Sequence, residues 1–325
     1  MTPAPSRREL LRATLLVAVS ACCFGSIGPL TLIALKSGVA LQGVQAFRYA
    51  VTALLLMVYA TWRPSPAHPH AARASGFDAA PWYSARVLLI AGGGQATVAT
   101  LALLSLRWIP ASTSAFLFYT YPAWVAIMTS VRGVEPLGVG RVIALTLSLG
   151  GIAAMVGAPT AASLNPTGVV VSLLAAVVYA VYIPVLSGLQ RTRAPIDVAR
   201  AIAVGGAVLF LMWALTTGTL FAHHDVRSIV ATSLQGVLSA GAFLGFLSGL
   251  SRLGAVRTAI TSTIEPFWTT LLGLLVLGQP IGGGTLVGGA AIMAAVLLLQ
   301  RPNVALAPLH SSSSHEGDHT GRPTP

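Results

Sequence analysis

Two ionisable groups, Arg48 and Glu265, fall well inside long apolar stretches of this 325-residue chain. A charge at the centre of a bilayer costs roughly 2.5–3.5 kcal/mol on insertion scales, so such a group faces a partner or a water-filled cavity. Two readings are open. The pair contacts a substrate or coupling ion, or it forms a fixed ion bridge between two helices. Arg48 lies about seven residues into its stretch, so its long side chain also has the option of reaching the interface. Tyr119, Tyr121, Trp124, Tyr179, Tyr182 and Trp268 lie near the aligned cores of two sequence repeats. There they either hold an organic solute by stacking and cation–π contact or serve as packing and interfacial belts. Pro122 and Pro266 each remove a backbone donor in mid-stretch. They read as hinges beside a cavity or as static kinks.

Little else in the chain has the makings of chemistry. The adjacent Cys22 and Cys23 point about 100° apart on a helix and read as small packing residues. His223-His224-Asp225 has ligand-type side chains but no distant third partner, and reads as a solvated loop. No phosphate-binding glycine loop, Walker lysine or nucleophilic triad appears. The expectation is a non-enzyme with no metal and no cofactor.

The elements that carry these residues follow from composition. Charged residues make up 8% of the chain and hydrophobic residues 55%, with a mean hydropathy of +0.79. A soluble domain needs about 25% charge to wet its surface, so the outer surface here faces lipid. The net charge of +11 is spread over the ends of apolar runs, which argues against nucleic acid as a partner. A helix needs about 20 apolar residues to cross the bilayer. Ten stretches qualify, at 13–35, 41–62, 85–106, 111–131, 139–157, 167–190, 196–218, 228–250, 258–277 and 284–300. With the N-terminus in the cytoplasm, fifteen basic residues lie on that side and only Lys36, Arg107 and Arg227 on the other. The positive-inside rule then places both termini in the cytoplasm of a cell with an inner membrane. The motif from Ser6 to Arg12 has the look of an export signal. Its apolar run continues to Leu35, longer than the roughly 7–15 residues of a signal core, and reads as a span. Residues 302–325 are rich in Ser, His and Pro and are expected to be a disordered cytoplasmic tail.

The chain also resembles itself. An offset of 144 puts Pro122 on Pro266, Pro136 on Pro280, Gly138 on Gly282, Gly140 on Gly284 and Glu135 on Gln279. An offset of 155 puts Phe24-Gly25 on Tyr179-Ala180 and Lys36 on Arg191. This gives five spans per repeat, 13–157 and 167–301, after a cytoplasmic segment 1–12. Five is odd, so the second repeat enters from the opposite side, as in secondary transporters built around a midplane site. The expected fold is therefore all-α integral membrane, with ten transmembrane helices in two inverted five-helix repeats. Gly241, Gly245 and Gly249, and also Gly284 and Gly288, form small-residue stripes suited to close helix packing or to a homodimer seam.

These features resemble the EamA-type proteins of the drug/metabolite transporter superfamily over residues 13–301. The likeness is carried by Cys23-Phe24-Gly25-Ser26 with Lys36, by Ala46-Phe47-Arg48-Tyr49, and by Tyr121-Pro122 followed by Val134-Glu135. Ile264-Glu265-Pro266-Phe267 followed by Leu277-Gly278-Gln279-Pro280 completes it. Gln279 stands where that family usually has glutamate. The resemblance implies a secondary exporter of small organic metabolites such as amino acids or related compounds, working in the lipid bilayer. A polytopic enzyme acting on lipid-linked substrate and a passive pore are the other readings. Within the transporter reading, Glu265 is expected to be the coupling or substrate-contacting acid.

Overall fold

The computed structural model describes residues 6–63, 80–105, 107–109, 111–134, 137–156, 165–220, 225–277 and 283–299, and every described element is a helix. In chain order these are α1 (Arg7–Lys36), α2 (Leu41–Trp62), α3 (Ala85–Ser105), α4 (Ala111–Phe118), α5 (Tyr121–Val131) and α6 (Val139–Val156). They continue with α7 (Pro166–Leu189), α8 (Pro195–Thr216), α9 (Val226–Leu253), α10 (Ala255–Thr261), α11 (Ile264–Leu277) and α12 (Gly283–Leu299). Helices α1, α2, α3, α7, α8 and α9 are each long and apolar enough to cross a membrane, while α6 and α12 contain shorter apolar helices. The Glu135/Gln279 pair, His223-His224, most of the Arg63–Arg86 connection and the tail lie outside the described residues.

Helix starts follow local chemistry. The Ser6 hydroxyl accepts from the Glu9 N–H while the Glu9 carboxylate accepts from the Ser6 N–H at 2.8 Å, satisfying two donors that the first turn leaves open. Asn165 caps α7 ahead of Pro166, whose missing N–H costs nothing in a first turn. Asp225 caps α9 through the Ser228 N–H at 2.7 Å. Gly254, at φ 77°, ends α9 and lets the chain turn at once into α10.

The stretches 111–131 and 258–277, expected as single spans, are each divided. α4 stops at Phe118 and α5 restarts at Tyr121; α10 stops at Thr261 and α11 restarts at Ile264. The cause is Pro122 and Pro266, which sit in the first turn of the restarting helix and cannot donate to the turn before. The backbone groups freed at the second break are taken up locally. The Glu265 N–H donates to the Ser262 carbonyl at 3.0 Å, the Thr263 hydroxyl to that of Ile260 at 2.6 Å and the Ser262 hydroxyl to that of Thr258 at 2.9 Å. Irregular backbone survives at membrane depth only when satisfied in this way.

Lipid offers no hydrophobic drive for helix association, so close packing and interhelical hydrogen bonds must supply it. A Cβ on Gly92 of α3 would lie 2.5 Å from the Gly205 Cα of α8, so these two backbones meet where no larger side chain fits. α1 lies along α9, where Gly245 faces Leu16 and Ser20, Gly249 faces Ala13 and Val17, and the Ser20 hydroxyl donates to the Ala242 carbonyl at 2.7 Å. The glycine stripe of α9 is thus used within the chain, apart from Gly241, which faces open space. Gly284 of α12 likewise packs on the Ala154 carbonyl of α6. Outward-facing leucines such as Leu15, Leu54, Leu89, Leu275 and Leu286 are largely exposed, the surface expected against acyl chains.

Candidate functional site where two broken helices meet

The two breaks face each other. Tyr121, at the start of α5, donates its hydroxyl to the Ala259 carbonyl of α10 at 3.3 Å. Tyr119, in the turn before α5, has its hydroxyl facing the Glu265 carboxyl at the start of α11. Each pre-proline segment therefore reaches across to the other. Phe118 and Tyr179 of α7 stack at 5.6 Å and 20°, and Tyr121 meets Tyr179 edge-on at 4.7 Å. Tyr182, one turn along α7, has its ring 6.5 Å from Tyr179 and donates its hydroxyl to the Ala91 carbonyl inside a π-helical turn of α3, Leu89–Gly93. Such turns expose a carbonyl that the regular ladder would otherwise occupy.

α1 closes one side of this centre. A Cβ on Gly25 would lie 2.8 Å from the Glu265 carbonyl oxygen and 2.8 Å from the Thr269 Oγ1, so only glycine admits the start of α11 here. Thr269 donates to the Gly25 carbonyl at 2.9 Å, and the Trp268 indole N–H donates to the Ser26 hydroxyl at 2.9 Å. Glu265, Tyr179, Phe118, Trp268 and Ser26 each touch other helices yet keep partial exposure at mid-depth, whereas Tyr119, Tyr121 and Tyr182 are buried. The result is an aromatic cluster that also gathers hydroxyl groups and one carboxyl. It can hold an organic solute by stacking and offers an acid able to exchange a proton or pair with a cation.

The structure brings together Glu265, Tyr121, Tyr179, Tyr182 and Trp268 from the expected set, with Pro122 and Pro266 at the breaks themselves. Trp124 is elsewhere. The buried face of α5 is Tyr121, Pro122, Val125, Ala126 and Thr129, and at 100° per residue Trp124 points about 135° from its centre, leaving it 36% exposed. Arg48 also differs from expectation. It is 6% exposed, so it does not reach the surface, and among the described residues it makes no ion pair with Glu265. Its guanidinium lies over the Tyr49 ring at 4.6 Å. Ser26, Thr269 and Gly25 were missed as site residues. The Cys23-Phe24-Gly25-Ser26 motif and the pairing of Phe24-Gly25 with Tyr179-Ala180 pointed toward Gly25 and Ser26, and no sequence signal pointed to Thr269.

The packing around the breaks is uneven. α5 packs on α10, whereas α4 rests on α6 and α7, and α11 rests on α1 and α12. The broken helices thus close on each other at one end of the molecule and diverge at the other.

A crystal structure of a protein shares the fold, with a TM-score of 0.70 over 90% of this chain and 97% of that chain, at 17% sequence identity. At that identity the likeness is one of fold alone. No curated protein matches the chain by sequence. Residues 166–301, which include α7 to α12, match the EamA-like transporter family. With six helices long and apolar enough to cross a bilayer, this is a multi-pass membrane protein whose residues 166–301 match the EamA-like transporter family of the drug/metabolite transporter superfamily.

Proposed function

We propose that the chain is a secondary transporter that exports small organic metabolites such as amino acids or related compounds across a prokaryotic inner membrane. The observation that carries this reading is the reciprocal contact of the two broken helices, Tyr121 to Ala259 and Tyr119 to Glu265. Discontinuous helices meeting at mid-depth are the usual site-forming device of secondary transporters. In this reading ten spans form two inverted repeats, with α4–α5 and α10–α11 as the fourth span of each, and both termini are cytoplasmic. The basic ends of α5 and α10, at Arg132 and Arg257, then mark the cytoplasmic half. Their packing corresponds to a closed inner gate, and the divergence of α4 and α11 to an outward-facing state. Glu265 is the coupling acid or the substrate contact, and the surrounding tyrosines hold the organic part of the solute.

The test is efflux and uptake of a radiolabelled amino acid panel in proteoliposomes of the purified full chain, with and without a pH gradient. Saturable movement of at least one compound, accelerated by counter-substrate, supports the transporter. Non-saturable leakage that ignores counter-substrate would indicate a pore and overturn it. So would absence of movement for every compound, in either direction of the gradient.

A further inference from the structure

A second group of buried polar side chains has polar atoms without a hydrogen-bond partner among the described residues. Arg48 is 6% exposed, Tyr49 0%, Gln235 0% and Ser239 0%. Among the described residues the Arg48 guanidinium makes no hydrogen bond or ion pair, and its Nε is buried without one. The Tyr49 hydroxyl, both polar atoms of the Gln235 amide and the Ser239 hydroxyl are also unpartnered. Each such group costs roughly 1–3 kcal/mol when desolvated alone, and a charged one more. Four together are a strong signal that something polar occupies the space between them.

The four lie at one level. α2 packs on α9 with Gly236 against Val51 and the Arg48 carbonyl, and the Thr52 hydroxyl donates to the Gly236 carbonyl at 3.1 Å. Gln235 and Ser239 are one turn apart on α9. Phe243, a further turn along, meets the Tyr49 ring at 6.2 Å, so this face of α9 looks toward Tyr49. Tyr49 belongs to the same apolar core as Tyr121 and Tyr182, with Tyr179 packed against it. On the other side, about one turn nearer the start of α2, a cavity of about 130 Å³ opens between Val44, Phe47, Ile229 and Thr232.

We propose that Arg48, Tyr49, Gln235 and Ser239 form a binding subsite for the carboxylate of a small organic solute. A planar guanidinium matches a carboxylate in a bidentate fork. The hydroxyls and the amide N–H groups supply the remaining donors. This rests on the transporter reading for its use, and it specifies the substrate class as carboxylate-bearing. A lipid phosphate would satisfy the same cation. Against it, the unpartnered groups of Gln235, Ser239 and Tyr49 are fully buried in the bundle interior, away from a lipid-facing surface.

The experiment uses the full chain in nanodiscs of neutral phosphatidylcholine, with benzoate as probe and benzamide as its uncharged counterpart at equal ionic strength. Thermal unfolding is followed as each is titrated. Benzoate should raise the unfolding temperature with saturation and benzamide should not. Arg48→Gln should weaken apparent benzoate affinity by about tenfold or more, the range for hydrogen bonds to a charged group. Should Arg48→Gln fail to fold, Gln235→Leu carries the same test. It removes two unpartnered buried atoms, so the unliganded protein should be at least as stable while the benzoate shift shrinks. A benzoate shift that is absent in the wild type, or unchanged in these variants, overturns the subsite. So does a shift that disappears when phosphatidylglycerol is added, with an Arg48-dependent stabilisation in its place, which would assign the site to a lipid headgroup. An Arg48-dependent benzoate shift in a protein that moves no solute in proteoliposomes would instead count against transport and leave the subsite standing.

Discussion

Gly25→Ala should separate the α1–α11 contact from every other property of the chain. The new Cβ would lie 2.8 Å from both the Glu265 carbonyl oxygen and the Thr269 Oγ1, and 3.3 Å from the Trp268 Cδ1. An ordinary contact needs about 3.4 Å, so α11 must retreat by roughly 0.6 Å or the Thr269 side chain must rotate away. Either movement strains the 2.9 Å bond from Thr269 to the Gly25 carbonyl and the 2.9 Å bond from Trp268 to Ser26. Overpacking costs about 1–3 kcal/mol, and interhelical hydrogen bonds in membranes average about 0.6 kcal/mol each. The expected loss is therefore about 2–4 kcal/mol, with Glu265 displaced from Tyr119. Gly28 lies one turn further along the same helix, and a Cβ there meets nothing within 4 Å. Gly28→Ala is thus the internal control, and its better helix propensity should leave stability unchanged or slightly raised. Thermal unfolding of both variants in detergent, followed by uptake in proteoliposomes, reads the difference. If Gly25→Ala matches Gly28→Ala in unfolding temperature and in transport, the close approach of α1 and α11 does not hold the site, and the reasoning fails.

Glu265→Gln should express normally and lose gradient-driven accumulation while retaining exchange; full accumulation by this variant would remove Glu265 from coupling. Because Arg48 and Glu265 form no ion pair among the described residues, the stability changes of Glu265→Gln and Arg48→Gln should add in the double variant, and mutual rescue on a thermal melt would refute their separation. Trp124→Ala should leave uptake kinetics unchanged, since Trp124 stands on an outer face, whereas Tyr179→Ala should raise the KM for any aromatic solute. The Ser228 N–H holds the Asp225 carboxyl below its ordinary value of 3.8. Its capping contribution is present above the unfolded carboxyl pKa and is lost as pH falls through the depressed folded one. Asp225→Asn should flatten that acid limb of the unfolding profile, and an unchanged limb would exclude the cap as its source.

The helical class and the approximate limits of most helices were legible because apolar runs of span length have one reading in a chain with 8% charge. The breaks were legible too, through Pro122 and Pro266, although the sequence suggested kinks and the structure has full restarts. A proline removes one donor. Whether the turn before it bends or ends depends on hydroxyls such as Ser262 and Thr263 finding the freed carbonyls. Trp124 lies near the aligned core of its repeat in sequence, but its helical phase on α5 turns it to the outer face. The Tyr119–Glu265 contact could not be read at all, since it joins segments 146 residues apart. The pairing of Arg48 with Glu265 failed for a similar reason. Both are the rare charges of the membrane interior, yet α2 delivers Arg48 to α9, while α11 is held by α1.

The pre-proline residues at the two breaks are Tyr121 and Glu265, and the difference between them has a mechanical consequence. Tyr121 is a permanent donor at physiological pH, and its bond to the Ala259 carbonyl ties α5 to α10 whatever occupies the site. Glu265 only accepts when ionised and can also donate when protonated, so its contact with the Tyr119 hydroxyl is redirected by any proton, cation or solute that engages the carboxyl. Of the two reciprocal ties, only one can therefore be altered by a ligand without moving helices first. Loss of that tie frees the start of α11 from the turn before α5, while Thr269 and Trp268 keep α11 attached to α1. Within the proposed transport cycle, α1 and α11 then move as one unit against α5 and α7. The contact between α5 and α10 becomes the one that must open last, because no titrating group weakens it.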